Sequence, residues 1–399
     1  MPRIERVEAF PVSLARDRAS ATGTAGSPTP LVGGAAPLRW SSTVRTVYSE
    51  RFETTLVRVT LDHGLAGWGE AQAPVAPRVS AAIVDDILAP VLMGVEFDGS
   101  RAAIEHSWQE MFDSMRVRGQ TGGFMLDAIS GVDIALWDLA GQIAGQPVAA
   151  LARNSIVSPG TGFSPSPAVT ARATVPAYLS GLAGATADEK LAFAQRHYDQ
   201  GFRAFKIFHD ASPQALLDLL DQLCAGLGAE AQLAVDALWR LQWPQDAEFI
   251  EALAQRRPLW LEAPFMPDLA GPHRELHKAL PELPLALGES YRTRREMAWF
   301  LDEGLVRFVQ PDLGRSGITE TLRIAAAGVT VVPHVSVALG PQIAAAIHVA
   351  AAVSPLCEFN PAVFEVANRH LAEPLQMDGA AYRVPVSPGL GVAGLAPPG

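Results

Sequence analysis

Lysine is scarce in this chain. Of 31 basic residues only Lys190, Lys206 and Lys278 are lysines, and 42 acidic residues give a formal net charge of −11. An acidic chain without a basic tract argues against nucleic acid or anionic membrane as a partner. It also repels anionic substrates, so a site for one must carry local positive charge such as a metal. Cysteine is scarcer still: Cys224 and Cys357 form no ligand-spaced motif. That excludes a disulfide framework and points to a reducing, cytoplasmic setting. The N-terminus, MPRIERVEAF, is charged from its third residue and lacks a signal-peptide core. Uninterrupted apolar runs of about 20 residues, the length of a membrane span, are also missing. The stretch 324–357 has no Asp, Glu, Lys or Arg, but Pro333, His334, Gly340, Pro341 and His348 interrupt it. It reads as a buried strand, an active-site loop and an Ala-rich helix over 341–353.

What is present supports a large core: 399 residues, 49% hydrophobic and 18% charged. A β/α barrel takes about 250 residues, which leaves room for a second domain. Residues 4–12 alternate as a strand, 54–62 and 66–70 as a hairpin, and 81–92 and 101–115 show helical periodicity. The Gly/Pro-rich segment 18–38 reads as a loop or lid. A long apolar helix spans 124–151, with a stop signal at Gly145–Gln146–Pro147. After a Ser/Pro/Gly-rich stretch, 153–172, a strand–helix rhythm begins. Apolar runs end near 178, 208, 236, 262, 289, 311, 334 and 358.

Three of those ends are acidic. Asp236, Glu262 and Glu289 stand 26 and then 27 residues apart, the length of one strand, one helix and two loops. Barrel chemistry sits at the C-terminal strand ends, so three successive carboxylates would converge there. Mutual repulsion would then call for a divalent cation. Taken singly, each acid reads first as a loop residue or helix N-cap, which any α/β protein has. The pair His273-x-x-x-His277 competes as a metal site but reads as one face of a solvated helix. Gly389-x-Gly391-x-x-Gly394 matches a dinucleotide fingerprint, yet no helix can follow it before residue 399.

With those acids, GLAGWGE (64–70), VDIALWDLAGQ (132–142), FKIF (205–208), QPDLGRSG (310–317), VVPHVS (331–336) and PVSPGLG (385–391) resemble the mandelate racemase/muconate-lactonising branch of the enolase superfamily. The resemblance covers nearly the whole chain. It implies an α/β fold: a modified (β/α)7β TIM-type barrel with an α+β N-terminal capping domain completed by the C-terminal tail. The expected boundaries are 1–125 for the capping domain, with a lid at about 18–45, then 126–365 for the barrel and 366–399 for the returning segment. It further implies Mg²⁺ on Asp236, Glu262 and Glu289, removal of a proton next to a carboxylate, a small carboxylate substrate and a homo-oligomer. His334, oriented by Asp312, would be the base. Lys206 would act as base or carboxylate polariser, with a pKa lowered by burial near a cation. Glu358 would donate a hydrogen bond to the developing enolate.

Departures from the family pattern narrow the chemistry. Where the family has Lys-x-Lys, this chain has Lys206-Ile207-Phe208. Two-base racemisation therefore loses its second amine unless Lys206 or His209 substitutes. Asp236-Ala237-Leu238 lacks the Asn that often follows the first metal ligand. The expected activity is dehydration of an acid sugar, aldonate or aldarate, to a 2-keto-3-deoxy acid. The alternatives are an epimerase or lactone cycloisomerase, or a barrel kept only for binding. Arg39, Ser41, Ser42 and Arg45 are the candidate substrate contacts from the lid region, with His209 from the second barrel strand.

Overall fold

The computed structural model describes residues 1–15, 29–30, 38–41, 44–157 and 172–392. Most of the segment read as a lid, Ser42, residues 158–171 and Gly394 lie outside these. Strand β1 (Ile4–Ala15) is followed by a small antiparallel ribbon, β2 (Thr29–Pro30), β3 (Leu38–Ser41) and β4 (Thr46–Ser49). Next come β5 (Arg51–Leu61) and β6 (Ala66–Ala71), which form an antiparallel sheet with β1 in the order β1-β5-β6. The central β5 is buried almost throughout, whereas β1 alternates between buried and exposed positions, as an edge strand with one wet face does.

Helices α1 (Pro77–Ile83), α2 (Ala89–Leu92) and α3 (Arg101–Arg116) complete the capping layer, with a π-turn over Val84–Leu88 between the first two. Ser100 caps α3 by accepting from the Ala103 N–H at 3.2 Å. The long helix α4 (Gly123–Ala144) is buried at every position from Met125 to Gly141. It can lie flat on β6 because glycines face it. A Cβ on Gly69 would stand 1.9 Å from the Gly131 carbonyl oxygen, and one on Gly67 would stand 2.4 Å from that of Ala135. The predicted stop at Gly145–Gln146–Pro147 separates α4 from α5 (Val148–Val157).

Eight parallel strands follow: β7 (Thr174–Ser180), β8 (Ala204–Phe208), β9 (Gln232–Asp236), β10 (Leu261–Glu262), β11 (Leu285–Leu287), β12 (Phe308–Val309), β13 (Thr330–Val331) and β14 (Cys357–Phe359). Seven helices alternate with them: α6 (Ala187–Asp199), α7 (Pro213–Leu227), α8 (Ala247–Gln255), α9 (Ala270–Ala279), α10 (Arg294–Leu301), α11 (Leu313–Ala325) and α12 (Pro341–Val353). Strands β7 to β13 pair in sequence, β14 pairs with β7, and the Glu358 N–H reaches the Pro333 carbonyl at 3.4 Å, so the ring closes. This is the modified (β/α)7β barrel with an α+β cap. The barrel floor is plugged by Tyr178, Trp260 and Phe308 set among Ala204, Ala234, Ala286 and Val332, large rings filling the room that small residues leave.

After α13 (Pro361–Asn368), strands β15 (Met377–Asp378) and β16 (Ala381–Arg383) form a hairpin, and β16 pairs antiparallel with the start of β7. The chain then runs back to α4, where the Leu390 N–H donates to Asp138 Oδ1 at 2.7 Å. Among the described residues no helix is long and apolar enough to cross a membrane.

Candidate active site

Strand geometry brings the site together. Seven successive strand ends carry Lys206, Asp236, Glu262, Glu289, Asp312, His334 and Glu358. Side chains alternate along a strand, so Lys206 and Phe208 on β8 share the inner face, while Ile207 and His209 point out to the helices.

The Lys206 ammonium is buried 2.7 Å from Glu262 Oε1, 3.0 Å from Glu358 Oε1 and 3.7 Å from Asp236 Oδ2. The Phe208 ring centroid lies 5.6 Å from the same nitrogen. Burial alone would lower the Lys206 pKa, but Glu262 and Glu358 outweigh it and hold the amine protonated, well above its usual range. Here the protein differs from the lowered value expected above. Carboxylates, not apolar walls, are its nearest neighbours.

Glu262 is engaged through both oxygens. Its Oε1 takes Lys206, and its Oε2 accepts from Trp260 Nε1 at 2.9 Å and Gln310 Nε2 at 2.7 Å. Asp236 Oδ1 accepts from the Leu238 N–H at 2.9 Å. Burial and the Glu262 charge push Asp236 up against the pull of Lys206. Burial likewise raises Glu289, opposed by His334.

His334 bridges the two halves of the site. Its Nδ1 lies 2.9 Å from Asp312 Oδ2, and its Nε2 lies 3.1 Å from Glu289 Oε2 and 3.7 Å from Glu358 Oε2. Asp312 as acceptor makes Nδ1 the protonated nitrogen and leaves Nε2 facing the acids. Burial would lower the imidazole pKa, but Glu358, Glu289 and Asp312 hold it up at about 10. Glu358 has the opposite protonation from the expected donor. Burial raises it, yet Lys206 and His334 bring it down to about 2, and its Oε2 accepts from the Val335 N–H at 2.8 Å.

The residues fit a hard divalent cation. Glu289 Oε1 is buried without a hydrogen-bond partner. Five carboxylates, Asp236, Glu262, Glu289, Asp312 and Glu358, face one ammonium and one imidazole, so the corner is short of positive charge. Oxygen donors of this kind suit Mg²⁺. Among the described residues, the atoms within 4.8 Å of one another that could ligate a metal come from Glu262, Glu289 and His334, with Asp236 outside that group. The site thus offers the imidazole Nε2 to the same corner that was expected to be purely acidic.

Other sequence candidates lie elsewhere. His209 packs on Phe249 of α8 with ring centroids 5.2 Å apart, and burial beside Arg240 lowers its pKa to about 4. Strand alternation turned it outward, so it does not join the carboxylates. Arg45 is an exposed residue of the β3–β4 turn, and Arg39 pairs with Glu50. His273 is wedged between Phe265 and Trp299, its Nδ1 on the Leu269 carbonyl at 2.7 Å, an interior helix residue. Tyr48 on β4 is a further residue near the site, one that the sequence does not single out. Burial, then the charges of Glu289 and Asp236, raise its phenol pKa, which brings the ribbon within electrostatic range of the acids. No local pattern marks it, since its neighbours come from the other domain.

Similarity to known proteins agrees with this fold. Residues 34–152 match the family described as mandelate racemase/muconate lactonizing enzyme, N-terminal domain, and residues 189–394 match enolase C-terminal domain-like. The chain is 28% identical over 362 residues to a D-galactarolactone cycloisomerase of Agrobacterium fabrum, covering 86% of this chain and 89% of that protein. It is 30% identical over 312 residues to a D-galactonate dehydratase of Verminephrobacter eiseniae, covering 73% of this chain and 74% of that one. A solved enolase-superfamily structure from Agrobacterium tumefaciens superposes with a TM-score of 0.86 at 31% identity, over 98% of this chain and 96% of that one. With both domains matched, this chain belongs to the mandelate racemase/muconate lactonizing enzyme family of the enolase superfamily.

Proposed function

We propose that the protein removes the proton next to the carboxylate of an acid sugar and expels the oxygen one carbon further on, a β-elimination that dehydrates an aldonate or aldarate. The observation that carries this reading is the single base. His334, held by Asp312, faces the acid corner, and Phe208 stands where a second amine would serve the opposite face of the substrate.

The roles follow from charge. A divalent metal, Mg²⁺ by its donor set, would be held by Asp236, Glu262 and Glu289, and it would supply the positive charge that an enediolate requires. The imidazole of His334 must be neutral to accept a proton, and positive charge beside Glu289 would relieve that acid's pull on it. Lys206, locked as an ammonium by Glu262 and Glu358, adds a second fixed positive charge beside the developing oxyanion. Nε2 of His334 takes the proton. The same imidazolium can return it to the leaving hydroxyl if both lie on one face, so water leaves and a 2-keto-3-deoxy acid remains.

A second reading is favoured by the same one-base geometry and by the cycloisomerase relative. If the leaving oxygen belongs to a lactone ring, elimination opens the ring to a carboxylate, which needs no proton to depart. The two are told apart by mass. Aldonates, aldarates and their lactones should be incubated with enzyme and Mg²⁺. Loss of one water with formation of a keto acid supports dehydration, and an isomer of unchanged mass from a lactone supports ring opening. Deuterium entering C2 of recovered substrate with inversion would overturn both in favour of an epimerase.

A further inference from the structure

We propose that Gln342 is a positioning residue for the Asp312–His334 pair and that Glu70 of the capping domain holds it there; the proposal rests on the reading of His334 as the base. Gln342 is only 1% exposed, in the first turn of α12. Its Nε2 donates to Asp312 Oδ1 at 2.7 Å, and the Gly314 N–H donates to the same oxygen at 3.0 Å. With Oδ1 doubly engaged, Oδ2 is left for His334 Nδ1 at 2.9 Å. The amide nitrogen must be the end facing Asp312, because an oxygen there would oppose a carboxylate oxygen. Its other end, Oε1, is buried without a partner. Gln342 spends its donor on the carboxylate that orients the base.

What fixes Gln342 comes from across the domain boundary. Helix α12 has no side-chain cap of its own. The fully buried Glu70 supplies one from β6, accepting from the N–H groups of Leu339 at 2.6 Å and of Gly340 and Gln342 at 3.1 Å. A carboxylate at a helix N-terminus meets both the free N–H groups and the positive end of the dipole. Two further contacts hold the Asp312 side: the Gln72 N–H of the capping domain donates to the Gly314 carbonyl at 2.8 Å, and the Ser130 hydroxyl of α4 donates to that oxygen as well. A Cβ at Gly314 would stand 2.3 Å from Gln342 Oε1, so a side chain there would push the amide aside. The GWGE motif therefore ends in a residue that braces the base through Gln342 and Asp312.

The test is Gln342→Met, which keeps length and removes the donor. In histidine-labelled protein, the low-field Nδ1–H proton resonance is assigned to His334 by its loss in His334→Asn. It is expected to shift or broaden in Gln342→Met, while Mg²⁺ affinity by calorimetry stays within about twofold of the parent. With substrate, kcat should fall about 10- to 100-fold, the range for losing a partner that orients a site residue, with KM changed by less than about threefold. Should Gln342→Met not fold, Gly314→Ala displaces Oε1 without altering the glutamine, and the same resonance should move. A His334 resonance unchanged in the folded variant overturns the proposal, as does unchanged kcat. The resonance needs no substrate, so a wild-type protein inert on acid sugars would sink the proposed reaction and leave the positioning role standing.

Discussion

Arg292 grips Asp127 with two nitrogens, Nε 2.9 Å from Oδ1 and Nη2 3.1 Å from Oδ2, three residues after Glu289. The pair fastens the loop that presents a candidate metal ligand to the buried helix α4. Lysine in place of Arg292 keeps the charge but cannot make the two-point contact. Arg292→Lys should weaken Mg²⁺ binding about tenfold, in line with the loss of a residue that orients a ligand. Calorimetry measures it, and unchanged affinity would show that the loop is held by other means.

His334→Asn removes the imidazole that, among the described residues, faces the acid corner, while leaving Asp236, Glu262 and Glu289 in place. Turnover should drop by at least about 10²- to 10⁴-fold, the usual yield of general acid–base catalysis. Metal binding by the acids should persist in the same sample. Turnover within about twofold of the parent would refute the base assignment.

Gly69→Ala should be among the most damaging single methyl additions in the chain. The new Cβ would meet the Gly131 carbonyl at 1.9 Å, and neither β6 nor α4 has a flexible group to yield. Overpacking of this kind costs about 1–3 kcal/mol or more, since backbone has to move. Thermal unfolding of the variant checks it. A melting temperature equal to the parent's would mean that α4 rides further from the sheet than 1.9 Å implies.

Asp133 predicts a pH effect on stability. Its Oδ2 accepts from the N–H groups of Ile318 at 2.7 Å and Thr319 at 2.9 Å, and its Oδ1 accepts from the Thr319 hydroxyl at 2.5 Å. These bonds and Arg323 favour the anion, but complete burial outweighs them and raises the pKa from 3.8 to about 7. A raised folded-state value means that the contribution is full below the unfolded value and is lost as pH rises through about 7. Asn at this position cannot titrate. The stability advantage of the parent over Asp133→Asn should therefore shrink between about pH 4 and pH 7 in urea unfolding series. Parallel curves would disprove the burial effect.

The spaced acids were legible because a parallel barrel strand is short, apolar and closed by whatever residue its C-terminal end presents. Asp236, Glu262 and Glu289 announce themselves by period, and Lys206, Asp312, His334 and Glu358 by following apolar runs. His209 could have been set aside by the same logic, since it is one residue out of phase with Phe208. Tyr48, Glu70 and Gln342 carry no such mark. Their neighbours lie far away in sequence, and only docking of the cap onto the barrel decides them.

Protonation divides along the same line. Residue order determined which charged groups stand at the barrel mouth, because the βα repeat length and strand alternation are properties of the local chain. It could not determine that Lys206 would be held protonated, or that Glu358 would be an acceptor and not a donor. Those outcomes are sums of burial and of charges from several strands at once, and they come into being only when the barrel closes.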